Sequence, residues 1–300
     1  MRVRRGSGAP APGDLRTFMN FADPLIAAVQ ERTGLRLEMA APKVQARLAL
    51  LPEADRPQAV QRLLHADPLS PEWLAFAEFC LIHETYFFRH EGQLEFLAKK
   101  VVPALLKERL AAGRYEFKVW CAACSTGEEA YSAGLLLRDA IQASRETAAK
   151  EWQVSVLGTD LSAEVLAVAK RGEYTNNSGL NSFRDIPAFA RHHFLKVLQG
   201  GEKTWQADDL LRRTTTFQQR NLVTDPAPVA GADLVLCRNV LIYMDEARMR
   251  RAITTLVGAL RPGGVLVLGP ADMLKQPEAF SLSLLEDPRA MLWKKEAPSK

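Results

Sequence analysis

The reading of the fold turns on one stretch, Trp120-Cys121-Ala122-Ala123-Cys124-Ser125-Thr126-Gly127-Glu128-Glu129. A short apolar run, residues 117–122, leads into it, and a helical pattern over 130–144 leads away. Strand, small-residue turn and helix start, in that order, form the first unit of an α/β sheet. The turn's backbone N–H groups and the positive end of the helix dipole suit a polar ligand. Glu128 and Glu129 have two readings at this point: partners of the helix dipole, or a carboxylate that binds an ammonium group. The embedded Trp-Cys-x-x-Cys imitates a thioredoxin-type redox pair. A thioredoxin domain is short, however, and this motif opens a much longer array, so small residues packed in a tight turn are the preferred reading.

Downstream, the same texture repeats. A strand over 152–157 closes on Gly158-Thr159-Asp160, and further strands are expected at 233–237 and 265–268, with Met291-Leu292-Trp293 a candidate last one. Helices are expected over 163–171 and 246–260. Strands alternating with helices predict a parallel, doubly wound sheet. Such sheets bind ligands beyond the carboxyl ends of their strands. The segment 172–219 breaks the rhythm with Asn176-Asn177-Ser178-Gly179, Gly200-Gly201 and short candidate strands at 194–198, 204–207 and 214–218. It is too long for a plain loop and reads as a small, mostly antiparallel insertion.

Upstream, residues 14–110 read as helical throughout. Asp14 is the expected N-cap of a helix carrying Phe18, Phe21, Leu25, Ile26 and Val29 and ending near Gly34. Helices over 44–51, 57–64, 71–80 and 91–110 follow, separated by proline-bearing breaks. Residues 1–13, basic and then rich in Pro, Gly and Ala, read as a flexible tail without the apolar middle of a secretory signal.

Composition narrows the classes. Hydrophobic residues make up 47% and charged residues 25% of the 300 residues, which excludes a wholly disordered chain. The longest apolar stretches, such as 264–269, are far short of the roughly 18–20 residues of a membrane span. Net charge is +4, from 39 basic and 35 acidic residues, too dilute for the basic stripe of a nucleic-acid binder. Four cysteines are too few for a disulfide scaffold, no His/Cys spacing matches a zinc site, and no metal is expected.

Three further segments carry polar residues that the sheet would place at its mouth. Asp160 ends the second strand, where an acid typically accepts from ribose hydroxyls, although it could also cap the next helix in competition with Ser162. Asn221-Leu222 precede the 233–237 strand, and Arg238-Asn239-Val240-Leu241-Ile242-Tyr243 follows it. Thr85-Tyr86-Phe87-Phe88-Arg89 lies between the helical region and the sheet, and the Arg89 charge must find an anion or water.

Taken together, Thr85-Tyr86-Phe87-Phe88-Arg89, Ser125-Thr126-Gly127-Glu128-Glu129-Ala130-Tyr131-Ser132, Gly158-Thr159-Asp160 and Cys237-Arg238-Asn239-Val240-Leu241-Ile242-Tyr243 resemble the CheR family over about residues 15–295. These are chemotaxis receptor methyltransferases, which move a methyl group from S-adenosylmethionine to receptor glutamates and leave S-adenosylhomocysteine. The resemblance implies a helical N-terminal domain over 14–110 and a Rossmann-like methyltransferase domain over 111–300, with a small antiparallel β-subdomain inserted at about 172–219. It also implies that His83, Thr85, Arg89, Glu129, Asp160, Asn221, Leu222, Arg238 and Asn239 line the cofactor site. Glu129 would hold the cofactor's amino group, Asp160 its ribose, and Arg89 and Tyr243 would sit nearest the transferred methyl as the catalytic pair. Two positions depart from the family: His83 stands for the usual Asn, and Gly269-Pro270-Ala271-Asp272 for the usual Gly-His-Ser-Glu.

The partners so implied are the cytoplasmic helices of chemoreceptors, met by a cytoplasmic monomer that neither inserts in a membrane nor binds nucleic acid. The Asp/Asn-Pro-Pro-Tyr motif of base methylation is absent. Lys43 and Arg47, four residues apart on one helix face, are candidates for the surface that meets an acidic substrate helix, with a solvated surface as the alternative. Methylation of another protein or a small acid, and a catalytically silent S-adenosylmethionine-binding module, are the competing readings.

Overall fold

A computed structural model describes residues 12–68, 70–175, 194–199, 202–285 and 291–297. The expected tail lies outside these residues up to position 11, as do Asn176-Asn177-Ser178-Gly179 and Gly200-Gly201. The chain divides into two compact units between Leu81 and Ile82.

The first unit is helical: α1 (Pro12–Thr33), α2 (Leu37–Ala49), α3 (Arg56–His65) and α4 (Pro71–Cys80). Leu25, Val29, Val44, Leu48, Val60, Trp73 and Phe76 are buried within it. Ser70 caps α4 by accepting the Trp73 N–H at 3.3 Å. Two expected boundaries move. Helix α1 starts at Pro12, so Asp14 lies in its first turn rather than at its cap. Helix α2 starts at Leu37 and carries Pro42 within it, giving up one hydrogen bond near its start.

The second unit opens with α5 (Glu91–Phe96), a π-helical turn (Leu97–Val101) and α6 (Val102–Ala111). The sequence reading assigns these helices to the N-terminal domain, but their apolar residues pack with the sheet. Leu94, Leu97, Val101, Leu105 and Leu106 share one core with Phe117, Val119 and Leu137. The chain then alternates through β1 (Glu116–Ala122), α7 (Glu128–Ala143), α8 (Arg145–Ala148), β2 (Gln153–Asp160) and α9 (Ala163–Arg171). After β3 (Glu173–Thr175), β4 (Phe194–Gln199), β5 (Glu202–Ala207) and α10 (Asp209–Thr214) come β6 (Thr215–Gln219), β7 (Ala232–Cys237), α11 (Glu246–Ala259), β8 (Leu260–Leu268), β9 (Leu282–Leu284) and β10 (Leu292–Lys295).

Seven strands form the main sheet in the order β6-β2-β1-β7-β8-β10-β9, and β3-β5-β4 form a separate antiparallel sheet. From β6 to β8 all pairings are parallel, and β10 runs antiparallel to both its neighbours. The 214–218 strand, read as part of the insertion, is β6 of the main sheet, held beside β2 with Asp160 opposite Gln219. All six residues of β7 are buried, as befits a parallel strand covered on both faces. Strand β1 shows why: Phe117, Val119 and Cys121 join the core under α6 and α7, while Trp120 and Ala122 join the one under α11.

The order of strands reverses between β1 and β7. From β1 the chain builds outward to β2 and β6, then returns to β7 and builds the other way. A doubly wound sheet opens its ligand crevice at that reversal, beyond the carboxyl ends of the strands. Residues after Ala122 and Cys237 therefore face the same opening.

Candidate active site

The turn after β1 is built from backbone conformations that most side chains avoid. Ala123, Ser125 and Gly127 have φ of 55°, 49° and 94°. A Cβ on Gly127 would also lie 2.8 Å from the Ala169 Cβ, so only glycine fits there. The turn is tied to β2: the Cys124 N–H donates to the Thr159 carbonyl at 2.9 Å and the Ser125 N–H to Asp160 Oδ2 at 2.8 Å. Asp160 Oδ1 takes the Ser162 N–H at 3.0 Å. Ser162 itself caps α9 by accepting from the Val165 N–H, so Asp160 is not the cap. The Asp160 carbonyl receives the Arg220 N–H at 2.9 Å, which brings Asn221 and Leu222 alongside. There the Asn221 Oδ1 closes a local turn with the Val223 N–H, and Leu222 packs against the α11 side of the core.

Cys121 and Cys124 are buried free thiols, and burial pushes both well above the usual thiol range. Thiols held protonated in this way are poor nucleophiles, which removes the redox reading of Trp-Cys-x-x-Cys.

Beyond β7, Arg238 gathers three elements. Its Nη1 donates to Glu129 Oε2 at 3.1 Å, its Nε to Gln93 Oε1 at 2.8 Å, and its Nη2 to the Arg89 carbonyl. Gln93 in turn donates from Nε2 to the Leu268 carbonyl at 2.7 Å. Burial pushes the Glu129 carboxyl upward and the Arg238 charge pulls it back. Asn239 follows in the left-handed region at φ 60°, with its Oδ1 3.0 Å from His90 Nε2. That corner is clasped by Asp272, which is fully buried and accepts the N–H groups of Asn239, Gly269 and Ile242. The departure Gly269-Pro270-Ala271-Asp272 thus ends in a carboxylate that fixes the loop bearing Asn239 and Tyr243.

The loop carrying Thr85 and Arg89 joins from the other side. The Ser125 hydroxyl donates to the His83 carbonyl at 3.1 Å, and the Phe88 N–H donates to Ser132 Oγ at 3.1 Å. Thr85 is buried between these two ties. Phe87 packs edge-on against Tyr174 with ring centres 4.9 Å apart. Phe88 and His90 both have positive φ, so Arg89 stands at a strained crest. Its Nη1 donates to the Glu84 carbonyl at 2.7 Å. Tyr243 is half-buried at the end of a short 3-10 turn (Leu241–Tyr243). Burial pushes its hydroxyl upward, and the nearby Arg89 charge opposes that.

Ten sequence-selected residues, His83, Thr85, Arg89, Glu129, Asp160, Asn221, Leu222, Arg238, Asn239 and Tyr243, therefore all belong to the second unit. Lys43 and Arg47 belong to the first, where the charges of both reach the buried Cys80 thiol and the Arg47 guanidinium lies 5.6 Å from the centre of the Phe79 ring. Gln93 was missed: a lone glutamine inside a helical pattern carries no local signal of a partner 145 positions away. His90, whose partner Asn239 is 149 positions away, went unread for the same reason, whereas Glu84, five residues before Arg89, looks like any acid in a loop. Among the described residues no cluster of His, Cys, Asp or Glu could hold a metal ion, and no helix is long and apolar enough to cross a membrane.

The group expected here pairs a ribose with an amino-acid end, and the residues present suit both. Asp160 is buried at the end of β2, its two oxygens oriented by the backbone N–H groups of Ser125 and Ser162. Glu129 is 13% exposed and, among the described residues, commits only Oε2 to Arg238, which suits Oε1 to an ammonium.

A parallel sheet that reverses at β1/β7, a small-residue turn into a helix and acids after the first two strands define a Rossmann-like, S-adenosylmethionine-binding domain of the methyltransferase class. The family model for the CheR methyltransferase SAM-binding domain matches residues 83–287, and the chain belongs to that family. It is 33% identical to chemotaxis protein methyltransferase 1 of Pseudomonas aeruginosa, over 67% of this chain and 70% of that one. It is 29% identical to a chemotaxis protein methyltransferase of Borreliella burgdorferi, over 64% of this chain and 65% of that one. A probable biofilm formation methyltransferase, WspC of Pseudomonas aeruginosa, is 35% identical over 66% of this chain and 43% of its own length.

Proposed function

We propose that this protein transfers the methyl group of S-adenosylmethionine to glutamate side chains on the cytoplasmic helices of chemoreceptors or related signalling receptors, forming methyl esters. The observation that carries the reading is the Arg89–Arg238–Glu129 chain of contacts at the mouth of a CheR-family domain. It puts a cation with spare donors beside a carboxylate suited to the cofactor's amino group. Likeness to relatives named for chemotaxis and for biofilm formation supports receptors of either kind as targets.

S-adenosylmethionine supplies an electrophilic methyl on a positive sulfur. A glutamate carboxylate is already anionic at pH 7, so the chain needs no general base. One oxygen–carbon bond forms as the sulfur–carbon bond breaks, the two charges cancel, and S-adenosylhomocysteine leaves. What remains for the protein is alignment and exclusion of water, which are worth several kcal/mol of barrier. On this reading Arg89 orients the incoming carboxylate and Tyr243 positions it by hydrogen bonding. Glu129 holds the cofactor's amino group and is itself held by Arg238. Asp160, with Asn221 and Leu222 beside it, holds the ribose side, while His83, Thr85 and Asn239 shape the walls.

Calorimetric titration with S-adenosylmethionine and S-adenosylhomocysteine tests the cofactor half of the reading. Asp160→Ala should weaken both by about ten- to a hundredfold, the scale of a lost charge-assisted hydrogen bond. Transfer of labelled methyl to a chemoreceptor cytoplasmic fragment, as base-labile ester on glutamate, tests the other half. A well-folded wild type that binds neither compound would overturn the enzyme reading.

A further inference from the structure

One edge of the Arg89 guanidinium has no acceptor within hydrogen-bond distance among the described residues. Nη1 is spent on the Glu84 carbonyl at 2.7 Å. Nε is buried and meets no acceptor among the described residues. Nη2, which shares an edge with Nε, faces the Glu84 carboxylate at 4.0 Å, near enough for charge attraction but too far for a hydrogen bond. A guanidinium edge of two N–H groups is the feature that grips a carboxylate bidentately. Glu84 therefore stands loosely where a closely bound carboxylate would sit tightly. Its side chain is 54% exposed against 20% for Arg89, so it can swing into water at little cost.

Glu84 also acts on the other groups around that place. Burial dominates at Tyr243, which it raises, and at His90, which it lowers; the Glu84 charge reaches both as well and favours their protonated forms. The Arg89 guanidinium is the cation that faces this carboxylate, and the charges of both reach Tyr243 and His90.

We propose that Glu84 is an internal placeholder for the substrate glutamate, resting on the open edge of Arg89 between turnovers and yielding it to the incoming carboxylate. The inference rests on the glutamate-methylation reading above. A tethered competitor acts at high effective concentration. Free carboxylates in solution then fail to displace it, while a glutamate delivered by a docked receptor helix succeeds. Glu84 would in this way favour presented glutamates over small acids without touching the cofactor.

The test compares wild type, Glu84→Gln and Glu84→Asp as full chains, with labelled S-adenosylmethionine and a chemoreceptor cytoplasmic fragment. Glu84→Gln is expected to lower the KM for the fragment about two- to fivefold, the scale of an exposed ion pair. Its kcat and its S-adenosylmethionine affinity by calorimetry should be kept, and Glu84→Asp should stay near wild type. An unchanged KM in Glu84→Gln overturns the placeholder. So does a fall in kcat, which would make Glu84 an orienting partner of Arg89. If the wild type binds S-adenosylmethionine yet esterifies no receptor fragment, the glutamate reading itself fails and the placeholder with it.

Discussion

Arg89 and Arg238 meet in one site and use their nitrogens in opposite ways. The Arg238 side chain is 1% exposed, and each of its nitrogens has a partner on a different element: Gln93, Glu129 and the Arg89 carbonyl. Arg89 is 20% exposed, is tied through Nη1 to its own loop, and holds Nε without an acceptor among the described residues. Buried polar groups are as a rule satisfied, so the satisfied arginine reads as architecture and the unsatisfied one as the place where a ligand enters. Neither conclusion follows from residue type alone. It follows from what the rest of the chain has already done with each guanidinium.

Removing the satisfied arginine should have the larger effect. Arg238→Ala leaves the Glu129 carboxyl buried without its cation and strands acceptors on Gln93 and Arg89. Breaking a buried pair in this way costs about 3–5 kcal/mol, to be read from urea unfolding, and cofactor binding should fall with it. Arg89→Ala should do the reverse. Turnover is expected to drop about 10²–10³-fold, the usual cost of one preorganised donor, while unfolding free energy moves by less than about 1 kcal/mol because its ion pair with the half-exposed Glu84 is loose, at 4.0 Å. If Arg89→Ala proves as destabilising as Arg238→Ala, the two arginines do not differ in kind and Arg89 leaves the mechanism.

The division between these two arginines also marks what the sequence could and could not reveal. The β1 turn, Asp160 and the β7 end were legible because each is punctuated locally, by a strand, a small-residue turn or a charged pair at a strand end. The π-helical turn of Leu97–Val101 and the packing of α5 and α6 on the sheet were not, since a helical pattern does not say which core its apolar face will join. Strand β6 was placed in the insertion because five residues with little apolar character show no preference between two sheets; its pairing with β2 decides the matter. Gln93 and the Asp272 clasp lay out of reach for a further reason. Most of their partners are far away in sequence, and a carboxylate that binds three backbone N–H groups looks, as a letter, like any surface acid.

The same contrast between satisfied and unsatisfied charge recurs in two neighbours at the start of α7. Glu129 is paired with Arg238, whereas Glu128, 2% exposed, has the Thr126 hydroxyl at 2.6 Å as its side-chain partner. Burial pushes the Glu128 carboxyl up from its ordinary 4.5 to about 7, and the Thr126 bond only partly opposes that. A carboxyl whose pKa rises on folding takes up protons as the chain folds, so its contribution to stability is complete below pH 4.5 and is lost as pH climbs through about 7. A rise of this size corresponds to roughly 3 kcal/mol at most. Glu128→Gln keeps an oxygen for Thr126 and removes the titration. Urea unfolding at pH 5.5, 7 and 8.5 should then show wild-type stability falling with pH more steeply than that of the variant, by about 1–3 kcal/mol across the range. Comparing the two slopes cancels every other titrating group common to both chains. Equal slopes would mean that Glu128 finds as good a counterpart as Glu129 does, and that burial beside a hydroxyl suffices where Glu129 has a full cation.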